Sequence, residues 1–280
     1  MSWRIAVRHR TGYHYESPAR ASYNEVRMTP ATVVGQHTLQ SRVETTPSAS
    51  TYRYIDYWGT VVHAFDVHVP HTDLVVTATS VVETAPARPA PRDTGWSHLQ
   101  TPRRRDQFGE LLAPSRYVIS EPELEDLGAQ LAATYPPLDA GRRAVEWVNE
   151  QLRYVRGVTQ VSTTSAEARA GGQGVCQDFA HVTLALLRAA GLPARYVSGY
   201  LYPARDAVLD EPVRAESHAW VEFWAGDWVA ADPSNRSEVA DRHVLVARGR
   251  DYADVRPLTG IYSGKAARAF GVTVELTRVR

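Results

Sequence analysis

Alternation of apolar and polar positions dominates the first 85 residues. Segments rich in valine, threonine and tyrosine change polarity at every second position over several stretches and are separated by glycine or proline; they cover residues 4–15, 37–47, 52–70 and 72–84. A period of two places successive side chains on opposite faces of a strand. The pattern therefore predicts an N-terminal antiparallel β domain over residues 1–85.

Residues 86–115 interrupt this pattern. They are rich in proline and arginine and follow neither the strand period nor the helix period. Such a composition predicts a linker that lies along the surface. Beyond it we expect a second domain over residues 116–280.

Helical patterns open the second domain. Ser120 and Glu123 form a capping-box pattern before an apolar stripe, so a helix is expected to begin there. Asp139 precedes another apolar stripe and is expected to cap the next helix. A short third helix is predicted over residues 165–170, before two glycines.

The clearest helical pattern covers residues 176–190. Gly191 is expected to end it in the left-handed conformation, and Pro193 prevents its continuation. Strand patterns then dominate, over residues 194–202, 217–224, 227–233 and 270–279.

Charge and hydropathy exclude two classes of partner. The 31 basic residues balance the 31 acidic ones, so no overall field attracts nucleic acid or an anionic membrane. No run approaches the ~18 apolar residues of a membrane span, and the first ten residues lack the apolar region of a signal peptide. We therefore expect a cytoplasmic protein that binds neither nucleic acid nor membrane, whereas its oligomeric state is left open.

Cys176 is the only cysteine, which excludes an internal disulfide and a CxxC pair. A free thiol, with a pKa of ~8.5, needs activation before it acts as a nucleophile. Cys176 lies at a predicted helix start, where unpaired N–H groups and the helix dipole stabilise an anion. The glycines at 171, 172 and 174 leave backbone amides free to bind an oxyanion. Isolated cysteines are often inert core residues. Whether Cys176 is a nucleophile therefore depends on the presence of a neighbouring base.

Two histidines compete for the role of base. His181 lies five positions along the same helix, about 140° around its axis, so it is expected to point away and make a structural hydrogen bond. His218 lies on a predicted strand whose return strand carries Asp232. A three-residue turn, A-G-D, would pair Trp220 with Asp232 and place His218 diagonally beside that carboxylate. A turn of even length would send them to opposite faces.

Several side chains are candidates for binding the oxyanion or the substrate. The backbone N–H of Cys176 needs a second donor, and Gln173 ranks before Gln177 and Tyr154 because it precedes the nucleophile among glycines. The alternative for Gln173 is that it caps the helix or faces water. Trp220, beside the predicted carboxylate, is the aromatic residue nearest to the chemistry and offers surface to an extended substrate.

A metal site is not expected. His63 and His68 have opposite parity on one strand and would face opposite sides, and His71 lies beyond them. These three histidines of the β-rich region therefore do not predict a shared ion.

The motifs GQGVCQDFAH, SHAWVEFW with DWVAADPSN, and GRDYADVRPLTG resemble those of the bacterial transglutaminase-like family. The resemblance implies an α+β protein, in which an antiparallel β domain precedes a papain-like transglutaminase core of helices packed on an antiparallel sheet. It also implies a catalytic triad with Cys176 as nucleophile, His218 as base and acid, and Asp232 as the orienting carboxylate.

The same resemblance implies cysteine-dependent acyl transfer on a peptide or protein substrate, through a thioester and with no metal or organic cofactor. Water as acceptor gives a protease or amidase, which we expect; an amine gives a transglutaminase that cross-links proteins. The alternative of another class is a non-catalytic peptide-binding module that keeps the fold.

Overall fold

The computed structural model describes residues 2–89, 91–92, 94–203 and 208–280. Its strands are β1 (Trp3–Ala19), β2 (Ala21–Val26), β3 (Gln36–Thr46), β4 (Thr51–Ile55), β5 (Val61–Val67), β6 (His71–Thr84), β7 (Arg153–Tyr154), β8 (Gln173–Gly174), β9 (Ala194–Leu201), β10 (Pro212–Ala215), β11 (Ser217–Trp224), β12 (Trp228–Asp232), β13 (Ser237–Glu238), β14 (His243–Gly249), β15 (Leu258–Ser263), β16 (Ala267–Ala269) and β17 (Thr273–Arg278). Its helices are α1 (Trp96–Leu99), α2 (Pro102–Leu112), α3 (Pro122–Thr134), α4 (Pro137–Gln151), α5 (Ser165–Gly171) and α6 (Cys176–Ala189), followed by a 3₁₀ turn, Tyr252–Asp254.

Two antiparallel sheets form the N-terminal region. One has the order β10-β17-β1-β6-β3, with β16 also paired to β1, and the other has the order β15-β2-β5-β4. Along β6 every second side chain is buried, among them Leu74 and Val76. The alternation seen in the sequence therefore arises from strands with one face in a core, and the predicted antiparallel β structure is confirmed.

The C-terminal strands return to this N-terminal region. Strands β10, β16 and β17 belong to the first sheet and β15 pairs with β2, although residues 116–280 were assigned as a whole to the second domain. Periodicity identifies a strand but not its partner, which explains why the sequence did not predict this exchange.

The second region is an antiparallel sheet of order β13-β12-β11-β9-β14 with helices on one face. Helix α6 lies against β11, so that Leu184 and Leu186 share one core with Val221 and Phe223. The close approach of α4 needs Gly141, because a Cβ there would overlap the Phe223 ring. Helices packed on an antiparallel sheet confirm the predicted α+β class. None of the helices in the described ranges has both the length and the hydropathy of a membrane-spanning segment.

The segment predicted as a linker contains two helices. In α2, only Phe108 and Leu111 are buried, too few for a recognisable helix period. The Phe108 ring lies 5.2 Å from that of Trp224 and 5.7 Å from that of Trp228. These aromatic contacts hold α2 against the core and correct the prediction of an irregular linker.

Two predicted helix caps are also wrong. Helix α3 begins at Pro122 and α4 at Pro137, because proline lacks the N–H that the first turn cannot satisfy. The Ser120 hydroxyl donates to Glu125 and caps nothing, and Asp139 lies inside the first turn of α4. By contrast, α6 ends at Ala189, and Gly191 takes the left-handed conformation (φ 81°) that was predicted.

The buried side-chain amide of Gln36 bonds the N-terminal region to the edge strand of the core. Gln36 is 5% exposed; its Nε2 donates to the carbonyls of Ala31 and Leu245, and its Oε1 accepts from Leu245 N–H, each at 2.7 Å. Together with Ala31 N–H, which donates to the Leu245 carbonyl at 3.0 Å, the amide replaces the strand partner that the outer edge of β14 lacks.

We expect Gln36→Leu to lower the free energy of unfolding by about 2–4 kcal/mol, because Leu245 N–H loses a buried partner. Urea denaturation followed by tryptophan fluorescence measures this loss. Gln40, exposed on the same strand, provides the matched control Gln40→Leu. Equal losses in the two variants would show that Gln36 does not join the regions.

Candidate active site

Cys176 is the first residue of α6, and Asp178 fixes the start of that helix. One oxygen of the Asp178 carboxylate accepts from Val175 N–H (2.8 Å) and from the Thr159 hydroxyl (2.6 Å). Gly174 gives Asp178 room, since a Cβ there would lie 2.6 Å from the Asp178 Cβ. The loop before the nucleophile and the first turn of its helix are therefore held together.

His218 and Asp232 lie on the hairpin formed by β11 and β12. Trp224 is in register with Trp228, so the turn contains three residues, which is the alternative that places His218 and Asp232 on one face. The His218 Nε2–H donates to Asp232 Oδ2 at 2.7 Å, and the side chains are 9% and 0% exposed. Because Nε2 is used in this bond, Nδ1 is the ring nitrogen left for the thiol.

The Asp232 carboxylate accepts three hydrogen bonds at each oxygen. Oδ1 accepts from Ser234 N–H (3.0 Å), the Ser234 hydroxyl (2.8 Å) and Asn235 N–H (3.2 Å). Oδ2 accepts from His218, from the Asn235 side-chain amide (2.9 Å) and from His243 Nε2–H (3.3 Å). Burial opposes ionisation, but these donors outweigh it and hold the pKa of Asp232 far below its usual range.

The environment of His218 favours the imidazolium. Burial alone would lower the pKa of His218, but hydrogen bonds to Asp232 and Cys176, together with the charges of those groups, raise it to about 10. A cation retained beside a thiol stabilises the thiolate. His218 is therefore bonded to Asp232 and lies close enough to Cys176 for that thiol to raise its pKa.

The cluster of His218, Asp232 and His243 also has the composition of a metal site, since one ligand atom from each lies within 4.8 Å of the others. The hydrogen bonds argue for another arrangement. His243 Nδ1 accepts from Ala240 N–H at 3.3 Å, so the neutral ring carries its proton on Nε2, the atom that faces Asp232. A metal ligand needs a free lone pair at that nitrogen, so this donor set suits hydrogen bonding and not an ion.

His181 has the structural role that its position on the helix predicted. It is fully buried, its Nε2 accepts from Tyr252 N–H at 3.2 Å, and its ring stacks on Tyr117. Burial lowers the pKa of His181 to about 3, so this ring stays neutral.

The polar side chains predicted to bind the oxyanion lie in different surroundings. Gln173 lines a depression with Gly171 and the loop 158–163, which does not include the nucleophile, while Gln177 donates to the Val161 carbonyl in that loop. Tyr154 is 44% exposed and close enough to Cys176 that, after burial, the charge of Cys176 is the next cause of its raised pKa.

The prediction that Trp220 offers surface to a substrate is wrong, because this residue is 1% exposed. Its ring stacks on His218 at a centroid distance of 6.0 Å. The three histidines weighed for a metal have separate partners: His63 bonds to Thr29, His71 to the Val69 carbonyl, and His68 lies near Asp66.

Sequence reasoning missed His243, Ser234 and Asn235. The run D-P-S-N after β12 is a signal for the latter two, since an aspartate side chain often accepts from the backbone two and three residues ahead. His243 gives no comparable signal, because it lies on β14, which reaches the site only through the sheet.

Asp232→Asn removes the carboxylate that raises the pKa of His218. In the wild type His218 stays protonated from its ordinary pKa of 6.5 up to about 10, so its contribution to stability is complete below pH 6.5 and is lost as the pH rises toward 10. We expect the variant to lose about 3 kcal/mol of unfolding free energy near pH 6, and the loss to shrink at higher pH. Urea denaturation at a series of pH values measures this difference.

The exposed pair of His14 and Asp73, joined by a 2.8 Å hydrogen bond, gives the matched control Asp73→Asn. This control should have little effect at any pH because solvent screens the pair. An Asp232→Asn loss that stays constant or grows from pH 6 to pH 10 would contradict the assignment of charge at His218.

Two family models match the chain: the bacterial transglutaminase-like N-terminal region over residues 5–83, and the transglutaminase-like superfamily over residues 125–233. An uncharacterized protein of Mycobacterium leprae is 47% identical over 277 residues, which cover 99% of both chains. A protein-glutamine gamma-glutamyltransferase of Pseudomonas aeruginosa is 40% identical over 67 residues, 22% of this chain and 10% of that protein.

A solved structure of a candidate cysteine protease from Cytophaga hutchinsonii shares the fold, with a TM-score of 0.80 and 21% identity, and the match covers 100% of this chain and 92% of that one. This likeness confirms the papain-like architecture of the core. Together with the matched family models and the full-length relative, it shows that the chain belongs to the transglutaminase-like superfamily, with the N-terminal region of its bacterial members.

Proposed function

We propose that the protein hydrolyses a peptide or carboxamide bond through a thioester at Cys176. The observation that carries this proposal is the hydrogen bond by which the buried Asp232 carboxylate holds His218, a ring close enough to Cys176 for that thiol to raise its pKa. Cysteine nucleophiles are activated by a neighbouring histidine that a third group orients. In the proposal Cys176 is the nucleophile, His218 the histidine and Asp232 the orienting group.

In the proposed reaction the Cys176 thiolate attacks the carbonyl carbon, which forms the C–S bond and an oxyanion. The His218 imidazolium then gives its proton to the leaving nitrogen as the C–N bond breaks, which releases an amine and leaves a thioester. Water attacks the thioester and passes a proton to His218. Collapse of the second oxyanion releases the carboxylic acid and returns the thiolate with its imidazolium partner.

The oxyanion needs donors close to the nucleophile. The backbone N–H of Cys176 is at a helix start and has no partner within its own helix. Of the side-chain candidates, Tyr154 is favoured over Gln173, because Tyr154 lies within the field of Cys176 whereas Gln173 lines a separate depression.

The positions of three tryptophans favour water over an amine as the acceptor of the acyl group. A dry tunnel walled by aromatic rings would favour transfer to an amine. Trp220 is buried behind His218, and Trp224 and Trp228 pack on Phe108, so none of these three walls such a tunnel. The non-catalytic alternative is disfavoured because it needs no base oriented toward the thiol.

Alkylation of Cys176 by iodoacetamide tests whether the thiol is activated. We expect a rate at pH 6 at least about tenfold above that of glutathione, because a cation beside a thiol favours its reactive thiolate form. His218→Gln should reduce this rate to that of an ordinary thiol. The same substitution at the other histidine of the region, His181→Gln, should leave the rate of folded protein nearly unchanged. Equal rates in the wild type and His218→Gln would refute the activated nucleophile.

The fate of the acyl group tests the reaction itself. With p-nitrophenyl acetate we expect a burst of one equivalent and an acetylated protein mass, both absent in Cys176→Ala. With peptide carboxamides and an added primary amine, we expect mass spectrometry to find the carboxylic acid as the main product. A dominant amide of the added amine would instead establish the cross-linking alternative, and the lack of any burst would support the binding module.

A further inference from the structure

A second histidine lies behind the carboxylate of the candidate site. His243 begins β14, which is separated from β11 by β9, and its side chain is 2% exposed. Its Nε2–H donates to Asp232 Oδ2, the same oxygen that accepts from His218. The imidazole rings of His218 and His243 are 6.0 Å apart, so the two rings contact one carboxylate from different directions.

The surroundings of His243 keep it a neutral donor. Ala240 N–H occupies Nδ1, which leaves the proton on Nε2. Burial lowers the pKa of His243 and outweighs the attraction of Asp232, while the nearby charges of His218 and Arg242 act in the same direction as burial. The ring therefore donates to Asp232 without adding a second positive charge to the site.

Trp220 fills the space beside both histidines. Its ring stacks on His218 at an interplanar angle of 29° and meets His243 edge to face, at 5.3 Å and 74°. Gly199 makes this possible, because a Cβ there would lie 2.7 Å from the Trp220 ring and would also press on the Val244 carbonyl. Neither imidazole can tilt away from Asp232 without displacing a buried indole.

We propose that His243 is a positioning residue, whose Nε2–H holds the Asp232 carboxylate in the plane that directs Oδ2 at His218. This inference rests on the proposed function, since it describes how the base is oriented for reaction at Cys176. Partners that orient a reactive group from behind commonly change activity by about 10- to 100-fold when removed.

Orientation and charge predict opposite effects for the loss of this donor. If the only effect of His243 were to reduce the negative charge on Asp232, its removal would make Asp232 a stronger acceptor for His218. The thiol would then react at the wild-type rate or faster. If His243 positions the carboxylate, its removal leaves Oδ2 to the Asn235 amide and His218, so Oδ2 is held less firmly although Ser234 and Asn235 still bond to Oδ1. The imidazolium is then held less firmly beside the sulfur. A residue with a purely structural role would lower stability alone.

The experiment measures alkylation of Cys176 by iodoacetamide from pH 6 to pH 10 in folded His243→Leu, His243→Gln and His71→Leu. His71 is another buried histidine with two hydrogen bonds; it lies on β6 of the N-terminal sheet and controls for lost stability. We expect His243→Leu to react about tenfold more slowly at pH 6 and within about twofold of wild type at pH 10, where thiols ionise unaided. His243→Gln, whose amide offers both N–H donors and a carbonyl acceptor, should recover most of the rate.

A wild-type rate at pH 6 in folded His243→Leu would overturn the positioning role. Reaction of His243→Gln and His71→Leu as slow as that of His243→Leu would overturn it as well. These outcomes are distinct from failure of the proposed function, in which wild-type protein and His218→Gln would already react alike. In that case both proposals fall together.

Discussion

A charge that is fully removed from water organises the candidate site. The Asp232 side chain has no exposed surface, and an ionised carboxylate in such a place is costly unless donors surround it. The donors come from three parts of the fold: the turn after β12 supplies Ser234 and Asn235, β11 supplies His218, and β14 supplies His243. Satisfying this carboxylate therefore fixes the relative positions of three strands of the core sheet.

The N-terminal sheets contribute to the same constraint through β14. Gln36 bonds to both backbone groups of Leu245, two residues beyond His243, so the strand that presents this histidine is held by the β-rich region. The pairing of β17 with β1, and of β10 with β17, places these C-terminal strands in the same sheet as β3, the strand that carries Gln36. These links give the N-terminal region a physical connection to the site that does not require it to touch the thiol.

Prediction from sequence succeeded where local geometry was sufficient. The start of α6 at Cys176, the left-handed residue Gly191 and the three-residue turn of the hairpin all follow from short-range rules, and the hairpin alone brought His218 to Asp232. The helices at 96–112 were missed because two buried side chains make no period. His243 and the return of the C-terminal strands were missed because contacts between distant strands leave no spacing to detect. Trp220 was placed on the correct face, but whether that face is open or covered depends on the rest of the fold.

Proton occupancy at His218 is the central physical claim, and nitrogen-15 NMR of histidine-labelled protein measures it directly. With the His218 signal assigned by its loss in His218→Gln, both ring nitrogens should remain protonated from pH 6 to pH 8, since the pKa of this ring is raised to about 10. Titration of His218 to a neutral ring near its ordinary pKa of 6.5 would contradict the claim that Asp232 and Cys176 hold an imidazolium between them.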